Sequence, residues 1–331
     1  MPANYLNFPY DPEIFQYYWS EATDPVRDAL LNSGVVVNDA QLADLASNGS
    51  NLYTMPYYDL MGGEEDNLDG KTSLTTTEVT GNSTQGVVYG RGHGFKAVDF
   101  IKTFNSGADP LAYAASKVGD WYNHRRQKRI LGILDAASQD ATFAKTNVVD
   151  ASKAAIDATT LGNAAVQALG DRADTVTLAY MHSAVANKLA NLQLLEYAKY
   201  TDANGIERQV RNLGYVNGMA VIIDDQAPYT AAASSTAATA SVYLLGEGLV
   251  RFAPAKLDQP SNELWRDPAA NGGEQVIYTR IRETIHPYGF TFKAPSNMTA
   301  SPTDAQLTAK ANWALAYDAK TVPFVVAKVQ L

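Results

Sequence analysis

The clearest hydrophobic pattern in the chain lies between residues 110 and 137. Apolar side chains recur there every three or four residues, as on one face of an α-helix. Asp109 precedes this segment as a helix cap, and Pro110 occupies the first helical position. The pattern predicts one uninterrupted helix, roughly 40 Å long at 1.5 Å per residue. A helix of that length is unusual in a globular protein and indicates a structural spine.

Residues 50–105 alternate between apolar and polar positions at both ends and are polar and glycine-rich between 62 and 86. We expect a long β-hairpin of roughly 20 residues per limb, reaching on the order of 60 Å. A two-stranded ribbon is marginally stable in water by itself. The pattern therefore favours a hairpin supported by a neighbouring molecule, with a disordered insertion as the alternative.

The N-terminal residues combine aromatic side chains with prolines, which predicts an extended arm that packs on another surface. One or two short helices are expected between residues 12 and 32. A further helix is expected over residues 39–46, capped by Asp39.

The remainder of the chain, from about residue 147, predicts a mixed α/β region. We expect helices over 151–169 and 182–200, and a mobile surface loop over the small residues 230–241. Strands 275–283 and 289–293 are predicted to pair in antiparallel fashion, and a last strand to complete a sheet. The predicted strands are 174–180, 219–224, 241–245, 249–252, 275–283, 289–293 and 322–329.

Composition narrows the function. The net charge of −9 and pI near 5.0 argue against a dedicated nucleic-acid binder. The absence of cysteine excludes disulfides and thiolate chemistry. We expect no transmembrane helix and no signal peptide. The 19 tyrosines suit half-buried interfaces, although a tyrosine-rich core explains them equally well.

The residues that usually carry catalysis show no productive arrangement. The four histidines are far apart in the sequence and lack metal-ligand spacing. They are His93, His124, His182 and His286. No GxSxG nucleophile motif is present. The sequence therefore predicts no catalytic residue, no metal site and no cofactor.

Two glycine-rich stretches resemble nucleotide-binding motifs without completing them. Residues 90–94 lack the third glycine and the following helix of a dinucleotide fingerprint. Residues 69–72 resemble the end of a phosphate-binding loop, but Glu65 stands where that loop requires glycine. A carboxylate there would repel phosphates, so neither stretch predicts a nucleotide site.

The long helix carries a cluster of four basic residues within 124–129. One reading is a solvated face with carboxylate partners inside the subunit. The other is contact with an acidic neighbour or with nucleic acid, held weakly and without sequence preference. The four residues are Arg125, Arg126, Lys128 and Arg129.

The order of these parts resembles the Hong Kong 97-type major capsid proteins of tailed bacteriophages. Several stretches carry the resemblance over about residues 28–330, and their order and spacing are more specific than any one of them. The stretches are 30–36, 42–46, 52–60, 109–111, 118–122, 126–129, 243–248, 280–282 and 286–290.

That resemblance implies an α+β capsid fold with four parts. These are an N-terminal arm with short helices, an extended loop, a peripheral domain with the spine helix and a β-sheet, and an axial domain. Their residues are 1–49 for the arm, 50–105 for the loop, 106–146 and 271–300 for the peripheral domain, and 147–270 and 301–331 for the axial domain.

The resemblance also implies contacts between subunits through the arm and the loop, and inner-face or neighbour contacts through the basic helix cluster. The expected arm and loop contacts are Tyr5, Phe8, Tyr10, Tyr57, Tyr58, Lys71, Tyr89 and Arg91. Some family members form a lysine–asparagine cross-link. Lys71 lies in the loop, but the asparagine and carboxylate that such a cross-link requires cannot be matched to residues of this chain. No cross-link is therefore predicted.

The implied function is structural: hexamers and pentamers of an icosahedral shell enclosing double-stranded phage DNA. The implied partners are further copies of the chain, a portal protein, a separate scaffolding protein, a decoration or cement protein, and packaged DNA in non-specific contact. No membrane is involved, and the protein is expected in the virion after assembly in the host bacterial cytoplasm. The alternatives are an encapsulin-type nanocompartment shell, an α/β enzyme with a mobile lid at 60–90, and a surface receptor-binding module.

Overall fold

The computed structural model describes residues 29–331 except 60, 72, 100–109, 202–206 and 233–236, together with two short strands at the N-terminus. For residues 4, 5, 8, 9, 110, 112, 197–201 and 207–213 it describes the backbone alone. The helices and short arm elements predicted within residues 10–28 lie outside the described residues.

The described residues form an α+β fold of six α-helices and eighteen strands. The helices are α1 (Ala40–Ser47), α2 (Pro110–Ser138), α3 (Ala141–Asn147), α4 (Thr160–Leu169), α5 (Ser183–Asn191) and α6 (Asp304–Leu307). The strands are β1 (Asn4–Tyr5), β2 (Phe8–Pro9), β3 (Val36–Asn38), β4 (Leu52–Tyr58), β5 (Gly81–Val98), β6 (Val148–Ala155), β7 (Val176–Met181), β8 (Glu196–Thr201), β9 (Glu207–Val216), β10 (Met219–Ile223), β11 (Tyr229–Thr230), β12 (Thr239–Gly246), β13 (Val250–Pro254), β14 (Asn262–Asp267), β15 (Glu274–Pro287), β16 (Phe290–Phe292), β17 (Trp313–Leu315) and β18 (Phe324–Gln330).

The predicted spine helix is confirmed. Helix α2 runs for 29 residues, about 43 Å at 1.5 Å per residue. Its C-terminal half buries Ile130, Ile133 and Leu134 in the largest hydrophobic cluster of the chain. Gly132 lies on this half of α2, and a Cβ there would collide with the Thr308 side chain. The glycine therefore lets the segment after α6 pack directly against the spine.

An eight-stranded sheet occupies the second half of the chain. Its strand order is β6-β18-β12-β7-β10-β9-β8, and β11 adds to β12. The strand predicted to complete a sheet at the end of the chain is confirmed, because β18 lies between β6 and β12. A second hydrophobic cluster packs helices α4 and α5 against this sheet.

A six-stranded sheet carries the long hairpin. Its order is β3-β13-β15-β5-β4, and β14 pairs with the first half of β15. Strand β5 is 18 residues long: its first part pairs with β4, and Val88–Val98 pairs with β15. The first part of β5 is therefore one limb of the two-stranded hairpin, and its second part is an inner strand of the sheet.

Side chains on the second half of β5 alternate between the two faces of the sheet. Arg91 reaches Asp304, and His93 and Phe95 both contact Trp121 of α2. The intervening positions, residues 90, 92 and 94, are glycines on the opposite face. This strand is therefore anchored to the helix by one face only.

Four sequence predictions are wrong in part. Helix predictions over 151–169 and 182–200 each contain a strand, β6 and β8 respectively, beside a shorter helix. Strands β15 and β16 exist but do not pair with each other, since β16 pairs with β17. The hairpin limbs pair over seven residues each, Leu52–Tyr58 with 81–87, instead of roughly 20.

Sheet membership also differs from the expected division of the chain. Strands β13 and β14, within the 147–270 segment expected to be axial, belong to the six-stranded sheet. The same sheet takes in β3 and Val88–Val98, which were expected in the arm and in the loop.

Candidate assembly surfaces

A buried ionic cluster joins the spine helix to both long strands of the six-stranded sheet. Arg126 donates from Nε and Nη2 to Glu283 Oε2, at 3.1 and 2.7 Å, and the Tyr89 hydroxyl donates to Glu283 Oε1 at 2.7 Å. Arg129 lies 3.6 Å from the same carboxylate and bonds Asp304 at 2.9 Å. Half of the predicted basic cluster is therefore committed to carboxylates inside the subunit.

The pKa values follow from this arrangement. Burial, together with the charge of Glu283, raises the pKa of Tyr89 well above its usual range, so its hydroxyl remains a donor. Burial alone opposes ionisation of Asp304, but hydrogen bonds from Arg129 and Arg91 outweigh it and hold the pKa of that carboxyl below its usual range. The cluster is charged and complete, which suits a structural role.

Tyr89, Arg126 and Arg129 therefore bond within their own subunit, and their contacts with other molecules stay a prediction. Tyr89 is 1% exposed and the Arg129 side chain 6%. Arg126 is mostly buried, with its guanidinium over Phe252 and on Glu283. Hydrophobic alternation marks a residue as strand but does not tell which face another element covers.

The hairpin ends in an exposed, acidic loop, residues 59–80, hereafter the acidic loop. It holds six acidic residues and one lysine, a net charge of −5. All described residues between 61 and 80 are exposed except Asp66, and the described backbone there lacks helix and strand. Four large apolar side chains lie in solvent: Met61, Leu68, Leu74 and Val79. The described part of their own subunit leaves these four side chains uncovered.

The base of the ribbon is fixed firmly to the sheet. Tyr53 is buried across Gly86, where a Cβ would overlap its ring, and its hydroxyl lies 2.9 Å from Thr284 Oγ1. Further out, the Tyr57 hydroxyl donates to the Ala316 carbonyl at 3.0 Å and its ring packs edge-on against Tyr317. The acidic loop therefore projects from a rigid stem.

The outer predicted contacts have accessible side chains. Tyr58 is 80% exposed and Lys71 is exposed, whereas Tyr57 is held by Tyr317 and Arg91 by Asp304. Of the arm residues, Tyr5 and Phe8 lie in the short β1–β2 hairpin with only their backbone described. Tyr10 lies outside the described residues.

One face of α2 remains open to solvent. Arg125 and Lys128 are exposed, and the Arg125 guanidinium lies 5.3 Å from the Trp121 ring centre. Trp121 also stacks on His93, with the two ring centres 5.0 Å apart. We call Trp121, Arg125 and Lys128 the helix stripe.

A second exposed apolar surface escaped the sequence analysis. Leu264 and Trp265 of β14 are 64% and 47% exposed, and Tyr278 of β15 is 39% exposed. Strand β14 pairs with β15 on one side only. The sequence of β14 is short and mixes polar and apolar residues without alternation, so it did not predict a strand. The structure alone shows this edge strand and its exposed aromatic side chain.

Within the described residues, no group of three or more histidine or acidic side chains is placed to hold a metal ion. No described helix is both long enough and apolar enough to cross a membrane.

Comparison with known proteins identifies the fold and the family. The chain resembles the capsid protein of cyanophage Pam1 with a TM-score of 0.58 and 12% identity, covering 94% of each chain. It resembles the head protein of Helicobacter pylori bacteriophage KHP40 with a TM-score of 0.55 and 11% identity, covering 94% of this chain and 93% of that one. For the capsid of Ralstonia phage GP4 the TM-score is 0.53 and the identity 10%, over 89% and 87% of the two chains.

At these identities the solved structures show a shared fold, the Hong Kong 97-type capsid fold expected from the sequence. No curated protein sequence matches the chain. The family model described as "Gp13-like: Major capsid protein 13-like" matches residues 112–326, well over half of the chain. The chain therefore belongs to the Gp13-like family and is a major capsid protein, a structural component of the tailed-phage head.

Proposed function

We propose that this subunit forms hexamers and pentamers that tile an icosahedral shell around double-stranded DNA, and that the acidic loop of each subunit lies over an adjacent one. Self-association into a shell is the coarser statement that family membership already supports. The loop is the part of the chain that this proposal assigns to shell assembly.

The observation that carries the proposal is the contrast between the stem and the tip of the hairpin. The stem is held by hydrogen bonds from Tyr53 to Thr284 of β15 and from Tyr57 to the Ala316 carbonyl just after β17. At the tip, by contrast, the side chain of Leu68 is 82% exposed and that of Met61 is 86% exposed. At about 25 cal/mol per Å² of apolar surface removed from water, covering such side chains in a neighbour stabilises the contact by a few kcal/mol. A rigid stem that presents uncovered apolar side chains is suited to contact between subunits.

Many modest contacts of this kind stabilise a closed shell without requiring a strong pairwise interface. Each added contact within an assembly is effectively intramolecular, so its free energy adds to those already made. The exposed edge of β14, with Leu264 and Trp265, offers a second surface for such contacts. Isolated subunits can then remain soluble while the shell remains stable.

The remaining partners of the proposal are a portal protein, a separate scaffolding protein, a decoration or cement protein, and packaged DNA in non-specific contact. The net charge of −9 supports weak contact with DNA, because a strongly basic lining would hold packaged DNA tightly. An encapsulin-type shell remains distinguishable by its contents, since purified particles would then hold protein cargo instead of DNA.

The test replaces residues 60–79 by Asn-Gly, a two-residue turn that joins Asp59 to Thr80, whose backbones already bond at 3.0 Å. We expect a folded subunit with unchanged circular dichroism that no longer forms shells in sedimentation and negative-stain microscopy. A matched variant carries a Gly-Ser loop of the original length. Comparing it with the shortened chain shows whether assembly requires the sequence of the loop or only its length. Normal shells from the shortened chain would contradict the proposed role of the loop.

A further inference from the structure

An open cleft lies beside the hairpin stem, between the end of β4 and the segment that follows β17. Its volume is about 450 Å³, which is within the range of small-molecule sites in proteins. We call it the tyrosine cleft. It is lined by four tyrosines and two aspartates, Tyr57, Tyr58, Tyr288, Tyr317, Asp59 and Asp318.

Three of the tyrosine rings form a compact cluster. The ring centre of Tyr317 lies 4.7 Å from that of Tyr57 and 5.2 Å from that of Tyr288, and both pairs meet edge to face. The Tyr57 ring is fixed further by the hydrogen bond from its hydroxyl to the Ala316 carbonyl. Rings in this arrangement are not stacked on one another, so ring faces remain for a ligand. The face of a tyrosine ring is electron-rich and attracts a cation.

One of these rings already lies against a cation within the subunit. The guanidinium of Arg251 is 5.5 Å from the ring centre of Tyr288. Arg251 is itself paired with Asp39 at 3.2 Å, so its charge is balanced and does not oppose a second cation in the cleft. The ring cluster is therefore compatible with positive charge at close range.

The two carboxylates of the tyrosine cleft lack a cationic partner. Asp59 and Asp318 are exposed, and neither lies within ion-pair distance of a lysine or arginine in the part of the chain that the structure describes. Asp59 accepts from the Thr80 hydroxyl at 3.2 Å, and Asp318 accepts from the backbone of Lys320 at 3.1 Å. These bonds orient the carboxylates without neutralising them. Burial and the charge of Asp59 raise the pKa of Tyr57, so the ring cluster lies in a negative field.

An organic cation suits this lining better than a metal ion does. Magnesium and calcium need oxygen ligands on several sides, whereas rings form much of this wall. Among the described residues no third acidic or histidine side chain joins the two aspartates in a metal-binding group. A single lysine or arginine side chain of another protein would bring one charge and leave one carboxylate unpaired. An aliphatic diamine brings two charges, and its methylene chain can pack on the rings.

We propose that the tyrosine cleft binds an organic diammonium ion, a cation of the polyamine class, with its ammonium groups paired to the two carboxylates and its methylene chain against the tyrosine rings. This inference goes beyond the proposed function, because one unassembled subunit contains the whole site. An occupied cleft links the end of β4 to the segment after β17, so the ligand stiffens the stem of the hairpin.

The test measures binding of putrescine, a diamine with a chain of four methylenes, to the unassembled subunit by isothermal titration calorimetry. Thermal unfolding provides a second readout. At about ten times its dissociation constant, putrescine should raise the melting temperature by about 2 °C. Butanediol of the same chain length lacks the charges, and magnesium chloride at equal ionic strength lacks the chain. Neither should reproduce the effect. Equal stabilisation by magnesium would assign it to general screening of an acidic subunit and overturn the inference.

A charge-removing variant tests the carboxylates. Asp59→Asn with Asp318→Asn keeps the side-chain acceptors and the cap on residues 319–321 but removes both charges. Putrescine should bind it roughly tenfold more weakly. The matched control, Glu64→Gln with Glu65→Gln, makes the same change in net charge at two exposed positions outside the cleft and should bind as the unaltered chain does. Equal weakening in the two variants overturns the inference.

Ring variants test the aromatic wall. Tyr317→Phe keeps the ring and should bind normally, whereas Tyr317→Leu should bind roughly two- to fivefold more weakly. Tyr58→Ala should weaken binding to a similar extent, and its side chain is 80% exposed, so the fold does not depend on it. This variant decides the matter if Tyr317→Leu fails to fold. Unchanged affinity after loss of the Tyr58 ring, or of both rings, contradicts the aromatic part of the site.

The same variants separate a small cation from a cation on another protein. If the unassembled subunit binds no putrescine, while the double asparagine variant folds but forms no shells, the carboxylates meet a neighbouring subunit and the inference fails. If putrescine binds and the double asparagine variant still forms normal shells, the site belongs to the small cation as proposed.

Discussion

The guanidinium of Arg126 donates two hydrogen bonds to a single carboxylate oxygen of Glu283, a residue 157 positions later in the chain. The other oxygen of Glu283 accepts from Tyr89 and lies near Arg129. One side chain on β15 therefore joins the spine helix to the strand that continues into the hairpin stem. The orientation of the projecting loop relative to the spine depends on this carboxylate.

Replacing Glu283 by alanine should destabilise the subunit strongly. Glu283 is 2% exposed, and its loss leaves two arginines and a tyrosine hydroxyl buried with too few acceptors. Breaking such a buried pair costs about 3–5 kcal/mol. Urea denaturation of the unassembled subunit measures the free energy of unfolding. The control is Glu263→Ala, which removes a half-exposed ion pair with Arg280 and should cost about 0–1 kcal/mol. Similar losses in the two variants would contradict the structural role of the cluster.

His286 should make the subunit less stable as the pH falls. The ring is buried between Tyr53 and Trp313, and burial, with the nearby charge of Arg251, lowers the pKa of His286 to about 4. The unfolded histidine titrates near pH 6.5, so between pH 6.5 and 4 the unfolded chain binds more protons. The stabilisation is complete above about pH 6.5 and is lost as the pH falls through 4.

At about pH 4.5 this loss amounts to roughly 2–3 kcal/mol relative to pH 7. Titrating carboxylates add to the loss, so the measurement compares the pH dependence of the unfolding free energy in the unaltered chain and in His286→Leu. The leucine variant should show the shallower dependence. Identical slopes in the two proteins would rule out His286 as the source.

Gly86 should tolerate no side chain. A Cβ at this position would overlap the Tyr53 ring, whose hydroxyl is held by Thr284. Gly86→Ala therefore displaces Tyr53 or separates β4 from β5, at a cost of about 1–3 kcal/mol. Thermal unfolding detects the change, and limited proteolysis within 59–80 detects a loosened stem. Gly62→Ala, where a Cβ meets open space, should be silent in both measurements. An unperturbed Gly86→Ala subunit would show that the stem is not packed as described.

Asn147 should tolerate loss of its amide poorly. Its Nδ2 donates to the carbonyls of Ala319 and Phe324 at 3.1 and 2.8 Å in a fully buried site. Asn147→Asp places a carboxylate against two carbonyl oxygens, which should cost roughly 3 kcal/mol or more in unfolding free energy. The matched change Asn163→Asp on the exposed side of α4 should have little effect on the urea midpoint. Equal midpoints for the two variants would contradict the bonding of Asn147.

Local signals were sufficient for the helices whose ends are set by caps and whose faces are strongly periodic. Asp39 accepts from the backbone of Gln41 and Leu42 and starts α1 at the expected place. The spine helix follows from its apolar stripe and Pro110. Both depend on interactions within a few residues, which a sequence displays directly.

The errors arose where partners distant in sequence decide the structure. Residues 148–155 contain good helix formers, but pairing with β18 makes them an edge strand. The basic cluster showed four similar cations, whereas the fold neutralises Arg126 and Arg129 and leaves Arg125 and Lys128 outside. The carboxylates that pair with Arg126 and Arg129 belong to Glu283 and Asp304, more than 150 residues later in the chain. A local sequence pattern therefore could not predict these pairs.

The described backbone of the acidic loop is irregular, and this affects how the loop can join two bodies. An irregular segment limits how far apart two bodies lie but leaves the angle between them free, whereas a helix or strand would fix both. A closed shell bends more sharply around its five-fold vertices than across its six-fold faces. If the acidic loop lies over an adjacent subunit as proposed, its irregular backbone would let one sequence occupy positions of different curvature without altering its folded core.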